Sequence, residues 1–317
     1  MATSSRCYRV CACRIIMFEA GTPSFFQAER SSYEAGRHIN GFMHNQSYRL
    51  AYHDPERDVF LYHSDAFDVM TAIAEKHPEG CFDMIFADPP YKLSNNGMTC
   101  HSGKSVSVNK GAWDKSEGPE LDFEYTKRWL ALCQQLLKPN GTIWVSGTHH
   151  IIHIVGYAMQ LLGYKILNEI SWEKPNPPPN LSCRYFTHST ETILWAAKDK
   201  KSKHAFNYDE MRAENGDKQM KSVWQFLPPS KDEKIFGKHP TQKPVKLLDR
   251  IVRASTRPGD FILDPFSGSS TTGVAALKNE RKFCGIEGEV EHINLSIARL
   301  NSATENSNNA VVNHPIA

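Results

Sequence analysis

The chain has 317 residues, 40% hydrophobic and 23% charged. That is ordinary for a soluble globular protein and ample for one large α/β domain with an inserted or appended subdomain. No apolar run approaches the roughly 18–20 residues of a membrane span, and no apolar core of signal length follows Arg6, Arg9 and Arg14, so the expected location is the cytoplasm. The net charge of +2 names no partner, but 15 Lys or Arg against 8 Asp or Glu between Lys198 and Arg257 make a local basic segment suited to phosphates.

Residues 1–45 read as an irregular N-terminal extension, and Met43 is a candidate start that would make the upstream part a translation artefact. Cys7, Cys11 and Cys13 cluster there, yet no second cluster or His pair at finger-like spacing completes a site, so no metal is expected. Cys81, Cys133 and Cys284 lie in apolar contexts and read as reduced core residues. Regularity begins near residue 48. A strand is predicted at 59–63, a helix at 67–76 and a strand at 82–87, followed by a long polar loop over 92–120. A helix at 123–137 ends at the turn Lys138-Pro139-Asn140-Gly141, and a strand follows at 142–146. His149, His150 and His153 stand where the next helix starts, open to a metal triad but better suited to capping and surface roles.

A helix at 151–163 and a strand at 165–172 lead to a rigid proline loop at 174–179, and a strand at 192–197 closes that part. The basic stretch at about 198–238 shows little periodicity and reads as an inserted target-recognition region. A helix to residue 255, a strand at 261–263, a helix at 272–279, a strand at 283–286 and a last helix at 290–302 complete the domain at 46–301. An Asn/Ser-rich disordered tail is expected over 302–317. Strands alternating with helices predict a mostly parallel sheet covered on both faces.

Two motifs carry chemistry. Asp88-Pro89-Pro90-Tyr91 follows the apolar run 84–87 and so sits at the carboxyl end of a buried strand, where open α/β sheets bind ligands. Asp88 and a proline carbonyl can accept both hydrogens of an exocyclic amino group, and Tyr91 can stack on the flat ring that carries it; a flipped base is such a molecule. The same four residues also suit a plain strand-ending turn. Asp264-Pro265-Phe266-Ser267-Gly268-Ser269-Ser270-Thr271-Thr272-Gly273 ends another strand and opens a helix, and the next strand ends in Glu287. Small residues there admit a nucleoside and Glu287 suits its ribose hydroxyls, but no Gly-x-Gly-x-x-Gly cradle for a pyrophosphate is present. S-adenosylmethionine fits that description.

Together these motifs resemble the amino-group DNA methyltransferases, which act on adenine N6 or cytosine N4. The cofactor motif follows the catalytic one, as in the permuted β class, and His239-Pro240-Thr241-Gln242-Lys243-Pro244 is a further mark of that class. The resemblance covers about residues 48–301 and implies an α/β, Rossmann-like, S-adenosylmethionine-dependent methyltransferase. Asp rather than Ser before Pro-Pro-Tyr favours adenine over the cytosine N4 alternative. Ser107-Val108-Asn109-Lys110-Gly111 with Trp113-Asp114, the run Pro179-Asn180-Leu181-Ser182-Cys183-Arg184-Tyr185-Phe186-Thr187-His188, and Lys218-Gln219-Met220-Lys221 with Val223-Trp224 are similar to the DpnA-like methylases of DpnII-type restriction systems, which implies adenine within GATC.

The resemblance assigns roles. Asp88, Pro89, Pro90 and Tyr91 would grip the base, and Asp264, Phe266, Gly268, Ser269 and Thr271 would line the methionine end of the cofactor. Glu287 would hold the ribose and Asp65-Ala66 the adenine, with Thr241 and Lys243 at the cofactor carboxylate. Lys92, Lys104, Lys110, Arg184, Lys218 and Lys221 are the DNA-contact candidates, and Trp224 and Tyr185 either stack on DNA or pack. The implied partner is DNA, double- or single-stranded. A homodimer and a cognate restriction endonuclease encoded nearby are further partners of the class, and no membrane is implied. Many relatives carry Gly where this chain has Ser270. If that backbone needs a positive φ, Ser costs on the order of 1 kcal/mol, and an inactive DNA-binding module is the alternative that this residue supports.

Overall fold

The computed structural model describes residues 48–92, 98–101, 104–107 and 114–312; the extension at 1–45, its cysteines and Lys110 lie outside them. The elements belong to one unit, Gln46–Ala317. β1 (Arg49–Asp54) and β2 (Val59–His63) form an antiparallel pair, and the Oδ1 of Asp65 accepts the Phe67 amide to cap α1 (Ala66–Lys76). β3 (Phe82–Ala87) is buried along nearly its whole length. β4 (Met98–His101) and β5 (Lys104–Ser107) make a separate hairpin inside the expected polar loop.

α2 (Pro119–Leu136) opens on a proline that needs no helical partner for its nitrogen, and runs into β6 (Leu137–Gly147). The predicted turn at 138–141 is absorbed as a bulge: register passes from Phe82 opposite Leu137 to Met84 opposite Thr142. α3 (Ile152–Leu161), β7 (Lys165–Glu173) and β8 (Thr190–Ala197) follow.

The stretch at 198–238 is more regular than its sequence suggests. α4 (Tyr208–Glu214) buries only Met211, and its Glu210 and Glu214 pair with Arg250 and Arg253 of the following helix, so ion pairs, not an apolar stripe, dock it. β9 (Val223–Gln225) joins the main sheet beside β7; three residues are too few for alternation to be recognised. A 3-10 turn at Asp232–Lys234 leads to α5 (Val245–Ser255), β10 (Phe261–Asp264), α6 (Thr271–Lys278), β11 (Lys282–Glu287) and α7 (Val290–Val312). α7 overruns the expected end at residue 302. Ser and Asn cost only a few tenths of a kcal/mol each when added to an established helix.

The nine-stranded sheet has the order β1-β2-β11-β10-β3-β6-β8-β7-β9. β2, β11, β10, β3 and β6 are mutually parallel, and β8 runs antiparallel between β6 and β7. From β10 the chain crosses through α6 to β11 on one side, and from β3 it crosses through α2 to β6 on the other. Strand order therefore reverses between β10 and β3, which opens a crevice at their carboxyl ends. α1, α2 and α3 pack together as one helical group, and α4, α5, α6 and α7 as another. Among the described residues no helix is long and apolar enough to cross a membrane.

Trp144 of β6 locks sheet to helix. Its ring stacks on Trp195 at 4.7 Å between centroids, and its Nε1 donates to Ser255 Oγ of α5 at 3.0 Å. Trp144→Ala is expected to destabilise the fold by about 4 kcal/mol. Ser255→Ala, which strands a buried indole N–H, should cost about 2 kcal/mol. Urea unfolding of the two variants beside the parent checks both values.

Candidate active site

The two acid-ended strands meet in the crevice. Leu263 of β10 pairs with Ile85 of β3, so Asp264 and Asp88 project beyond neighbouring strand ends. A cavity of about 210 Å³ lies over them. It gathers residues 88–91, Asp65 and Ala66 at the start of α1, Thr241 and Lys243 before α5, Asp264, Phe266, Gly268, Ser269 and Thr271, and Glu287 at the end of β11. Every residue expected to be catalytic or to hold the cofactor thus lines one space. Sequence reasoning missed Asp114, Tyr125 and His292, which line it too.

Around Asp88 the polar groups form a buried knot. Its Oδ2 lies 2.5 Å from Lys243 Nζ, which is 3.6 Å from Glu191 Oε2. Glu191 also pairs with Lys174. The Tyr91 hydroxyl lies 2.6 Å from Asp88 Oδ1, 2.9 Å from Ser146 Oγ and 3.1 Å from Glu191 Oε2. Burial raises the Asp88 carboxyl above its ordinary value, against the pull of Lys243. Burial alone would raise Glu191 as well, but Lys243 and Lys174 outweigh it and hold that carboxyl low. Burial would lower Lys243, yet Asp88 and Glu191 raise it, so it stays charged. Burial, then Asp88 and Glu191, push the Tyr91 phenol well up, so it stays protonated. Lys243, expected at the cofactor carboxylate, is instead 6% exposed and held between two carboxylates of the chain itself. Glu191, Lys174 and Ser146 carry no motif of their own; only the fold brings them to Asp88.

The second motif is a turn held from behind. Gly268 has φ +53°, and a Cβ there would stand 3.0 Å from the His239 ring, so any larger residue would be strained and crowd the histidine. Its N–H donates to Glu287 Oε2 at 2.7 Å, and Glu289 N–H donates to Oε1 at 2.7 Å. Glu287 therefore shapes the turn as well as lining the cavity, and its hydrogen bond to His292 raises the imidazole against burial. Arg299 of α7, buried, donates to the Ser269 carbonyl at 2.5 Å and to the hydroxyls of Ser269 and Thr271 at 2.8 Å each. Those two hydroxyls, expected to face the cofactor, are engaged by the arginine, which burial lowers to about 10. Asp264 accepts from Thr272 Oγ1 at 2.5 Å and from the Phe266 amide at 3.1 Å. Burial nevertheless raises it to about 7. The His239 ring, at 4.1 Å from that of His292, carries Thr241 through its Nδ1.

The DNA-contact candidates divide. Lys92 turns inward on a left-handed backbone with φ +59°. Its amide donates to Asp114 Oδ1 at 2.7 Å, and its ammonium lies 3.9 Å from Asp122 and over the Tyr125 ring, so it is a structural cation. Arg184, Lys218 and Lys221 are exposed, and Lys104 opens β5. Trp224 is buried, with its Nε1 donating to the Lys221 carbonyl, whereas Tyr185 is exposed. His149 stacks on His188 at 4.8 Å. Among the described residues no group of three or more His, Cys, Asp or Glu is arranged to hold a metal ion.

The residues present fit S-adenosylmethionine. A buried carboxylate at Asp264 suits its ammonium, the Gly268 turn admits a close approach, and acids stand at Glu287 and Asp65. A reversed sheet order, a small-residue turn at a helix start and the Asp88-Pro89-Pro90-Tyr91 turn beside it are those of an S-adenosylmethionine-dependent methyltransferase. Residues 82–298 match the DNA methylase family N6_N4_Mtase, and the chain belongs to that family. The type II methyltransferase M2.LlaDCHI of Lactococcus lactis subsp. cremoris is 54% identical over 251 residues, covering 79% of this chain and 91% of that protein. M2.DpnII of Streptococcus pneumoniae is 54% identical over 248 residues, 78% of this chain and 91% of that one. The crystal structure of the M1.HpyAVI–SAM complex aligns with 76% of this chain and 98% of its own, at 30% identity and TM-score 0.58. The PvuII cytosine-N4-specific enzyme, at 19% identity and TM-score 0.61 over 84% of this chain and 96% of its own, shares the fold.

Ser270 does adopt the left-handed backbone, with φ 52° and ψ 37°, as the buried residue before α6. Its Oγ lies 2.9 Å from Ser267 Oγ, a bond that offsets part of the strain. Ser270→Gly removes strain and hydrogen bond together and should change stability by less than about 1 kcal/mol. Ser270→Ala keeps the strain and loses the bond, and should cost about 1–2 kcal/mol. Denaturant midpoints of the two variants test this order.

Proposed function

We propose that this DNA methyltransferase methylates N6 of adenine within GATC, as the modification enzyme of a type II restriction system. The observation that carries the reading is the shared cavity of residues 88–91 and the Asp264 turn. The adenine assignment and its target are supported by Asp rather than Ser at position 88 and by the likeness to type II methyltransferases M2.DpnII and M2.LlaDCHI. The methyltransferase domain begins near residue 46 and takes in all of α7, with 198–238 as its target-recognition region. Arg184, Lys218 and Lys221 contact the DNA, and a cognate endonuclease and a second copy of the chain are its further partners.

The bound cofactor supplies a methyl group activated as a sulfonium. Asp88 and the Pro89 carbonyl accept the two amino hydrogens and turn the nitrogen lone pair toward that methyl, while Pro90 and the hydrogen-bonded Tyr91 fix the turn and offer a ring to the base. Each Asp88 oxygen already has one partner, so the carboxylate cannot rotate away, and catalysis is mainly positioning. Lys243 stands between two carboxylates. Both partners of Asp88, Tyr91 and Lys243, keep its carboxylate in place as positive charge develops on the amino nitrogen, and that carboxylate receives the departing proton. At the other end Asp264 takes the cofactor ammonium, Phe266 and Gly268 its methionine chain, Glu287 the ribose, and Asp65 and Ala66 the adenine.

Methyl transfer to unmethylated DNA, with the modified nucleoside identified by mass spectrometry and mapped, should yield N6-methyladenine in GATC; N4-methylcytosine would overturn the base assignment. Asp88→Ala should abolish transfer with cofactor binding retained, measured by calorimetry beside the activity assay. Asp264 predicts a pH dependence. Its folded pKa of about 7 lies above the unfolded value, so its contribution to stability is full below about pH 4 and is lost as pH rises through about 7. The cofactor ammonium requires the anion, so affinity runs the other way. Binding should weaken roughly tenfold from pH 7.5 to pH 6, and Asp264→Asn should remove that acid limb in the same titration.

A further inference from the structure

The loop joining β7 to β8 holds the most exposed large apolar side chain among the described residues. Phe186 is 96% exposed, beside Tyr185 at 61% and Leu181 at 55%. An aromatic ring normally buries 150–250 Å², and this one meets only water. The loop does not expose it through looseness. Asn180 Oδ1 accepts the Ser182 amide at 3.0 Å and its hydroxyl at 2.8 Å, and Asn180 Nδ2 donates to the Tyr185 carbonyl at 2.6 Å. Cys183 takes a left-handed φ of 51° to close that turn. The loop base is tied by the Lys174 amide to the Ser189 carbonyl at 2.8 Å, and its far side by His188 stacked on His149.

The loop also stands at the site. It leaves at Lys174 and returns before Glu191, both members of the knot around Asp88. Glu191 is the fifth residue after Phe186, so their Cα atoms lie within about 17 Å of each other. Arg184, exposed two residues earlier, supplies a cation for a phosphate.

We propose that Phe186 is a wedge that inserts into duplex DNA beside the target and fills the gap left by the extruded base. This rests on the base-methylation reading above. Removing a base from its stack costs a few kcal/mol, least where the base is already unpaired, and apolar side chains placed between base steps are a known physical means of stabilising the opened duplex. The Asn180 turn orders the backbone up to Tyr185, the residue before the ring, which lowers the cost of ordering the loop on insertion.

The test compares the unmodified enzyme and Phe186→Ala on two duplexes carrying the mapped target site, one with the target base paired and one with it opposite an abasic site. The variant should lose tenfold or more in kcat/KM on the paired target and stay within about twofold on the unpaired one, while Phe186→Trp keeps most activity on both. Equal losses on both duplexes, or no loss on the paired target, would overturn the wedge. Absence of methylation by the unmodified enzyme would instead defeat the underlying reading, and the wedge with it. The side chain is fully exposed, so the substitution does not threaten folding.

Discussion

Lys243 between Asp88 and Glu191 is the contact on which the site depends. Burying an isolated ion is expensive, by several kcal/mol even after relaxation. Two acids and two lysines balance here, and the charges are close enough to compensate one another. Removing one partner would leave an uncompensated buried charge, at about 3–5 kcal/mol. The four groups come from the end of β3, the end of β7, the start of β8 and the segment before α5, so the knot ties together parts of the chain up to 155 residues apart. Asp88 is therefore electrostatically satisfied at rest. In the proposed mechanism a substrate amino group meets a carboxylate already oriented by Tyr91 and Lys243.

The cofactor side follows a different principle. Its turn is made of small neutral side chains, and it keeps its shape through backbone donors and one buried cation. Arg299 reaches from α7 to the Ser269 carbonyl and two hydroxyls, while Ser296 donates to the Gly268 carbonyl. A carboxylate partner for Arg299 would have brought negative charge beside Asp264, whose carboxyl burial already raises. Neutral acceptors avoid that. The left-handed Ser270 is the strained residue of this arrangement, and the same turn places the amides of Gly268 and Phe266 on Glu287 and Asp264.

Legibility in the sequence followed locality. Each motif was readable because its chemistry needs contiguous residues, and the strand–helix alternation located both at strand ends. Their meeting in one crevice follows from the reversed strand order, a property of topology that permuted motif order could only suggest. The members of the knot were not readable: Glu191, Lys174 and Ser146 are ordinary strand-end residues until the sheet brings them to Tyr91. Lys243 is legible as a site residue, but its pairing with Asp88 and Glu191 is not, because a sequence does not say which nearby carboxylates a lysine will meet. The contact of Lys92 with Asp122 is likewise not legible, since a left-handed backbone at Lys92 brings the two together. β9 and α4 escaped because tertiary pairing, not local pattern, forms them.

The knot and the exposed loop share residues, and this joins recognition to chemistry. Lys174 closes the base of the loop with its backbone amide and grips Glu191 with its ammonium. Glu191 follows the loop on β8 and lies within reach of both Tyr91 and Lys243. The loop is therefore joined through Glu191 to two of the groups that hold the Asp88 carboxylate. The hydrogen bonds of Asn180 order the part of the loop from residue 180 to residue 185. The loop that carries Phe186 is thus continuous with the residues that hold Asp88 in place.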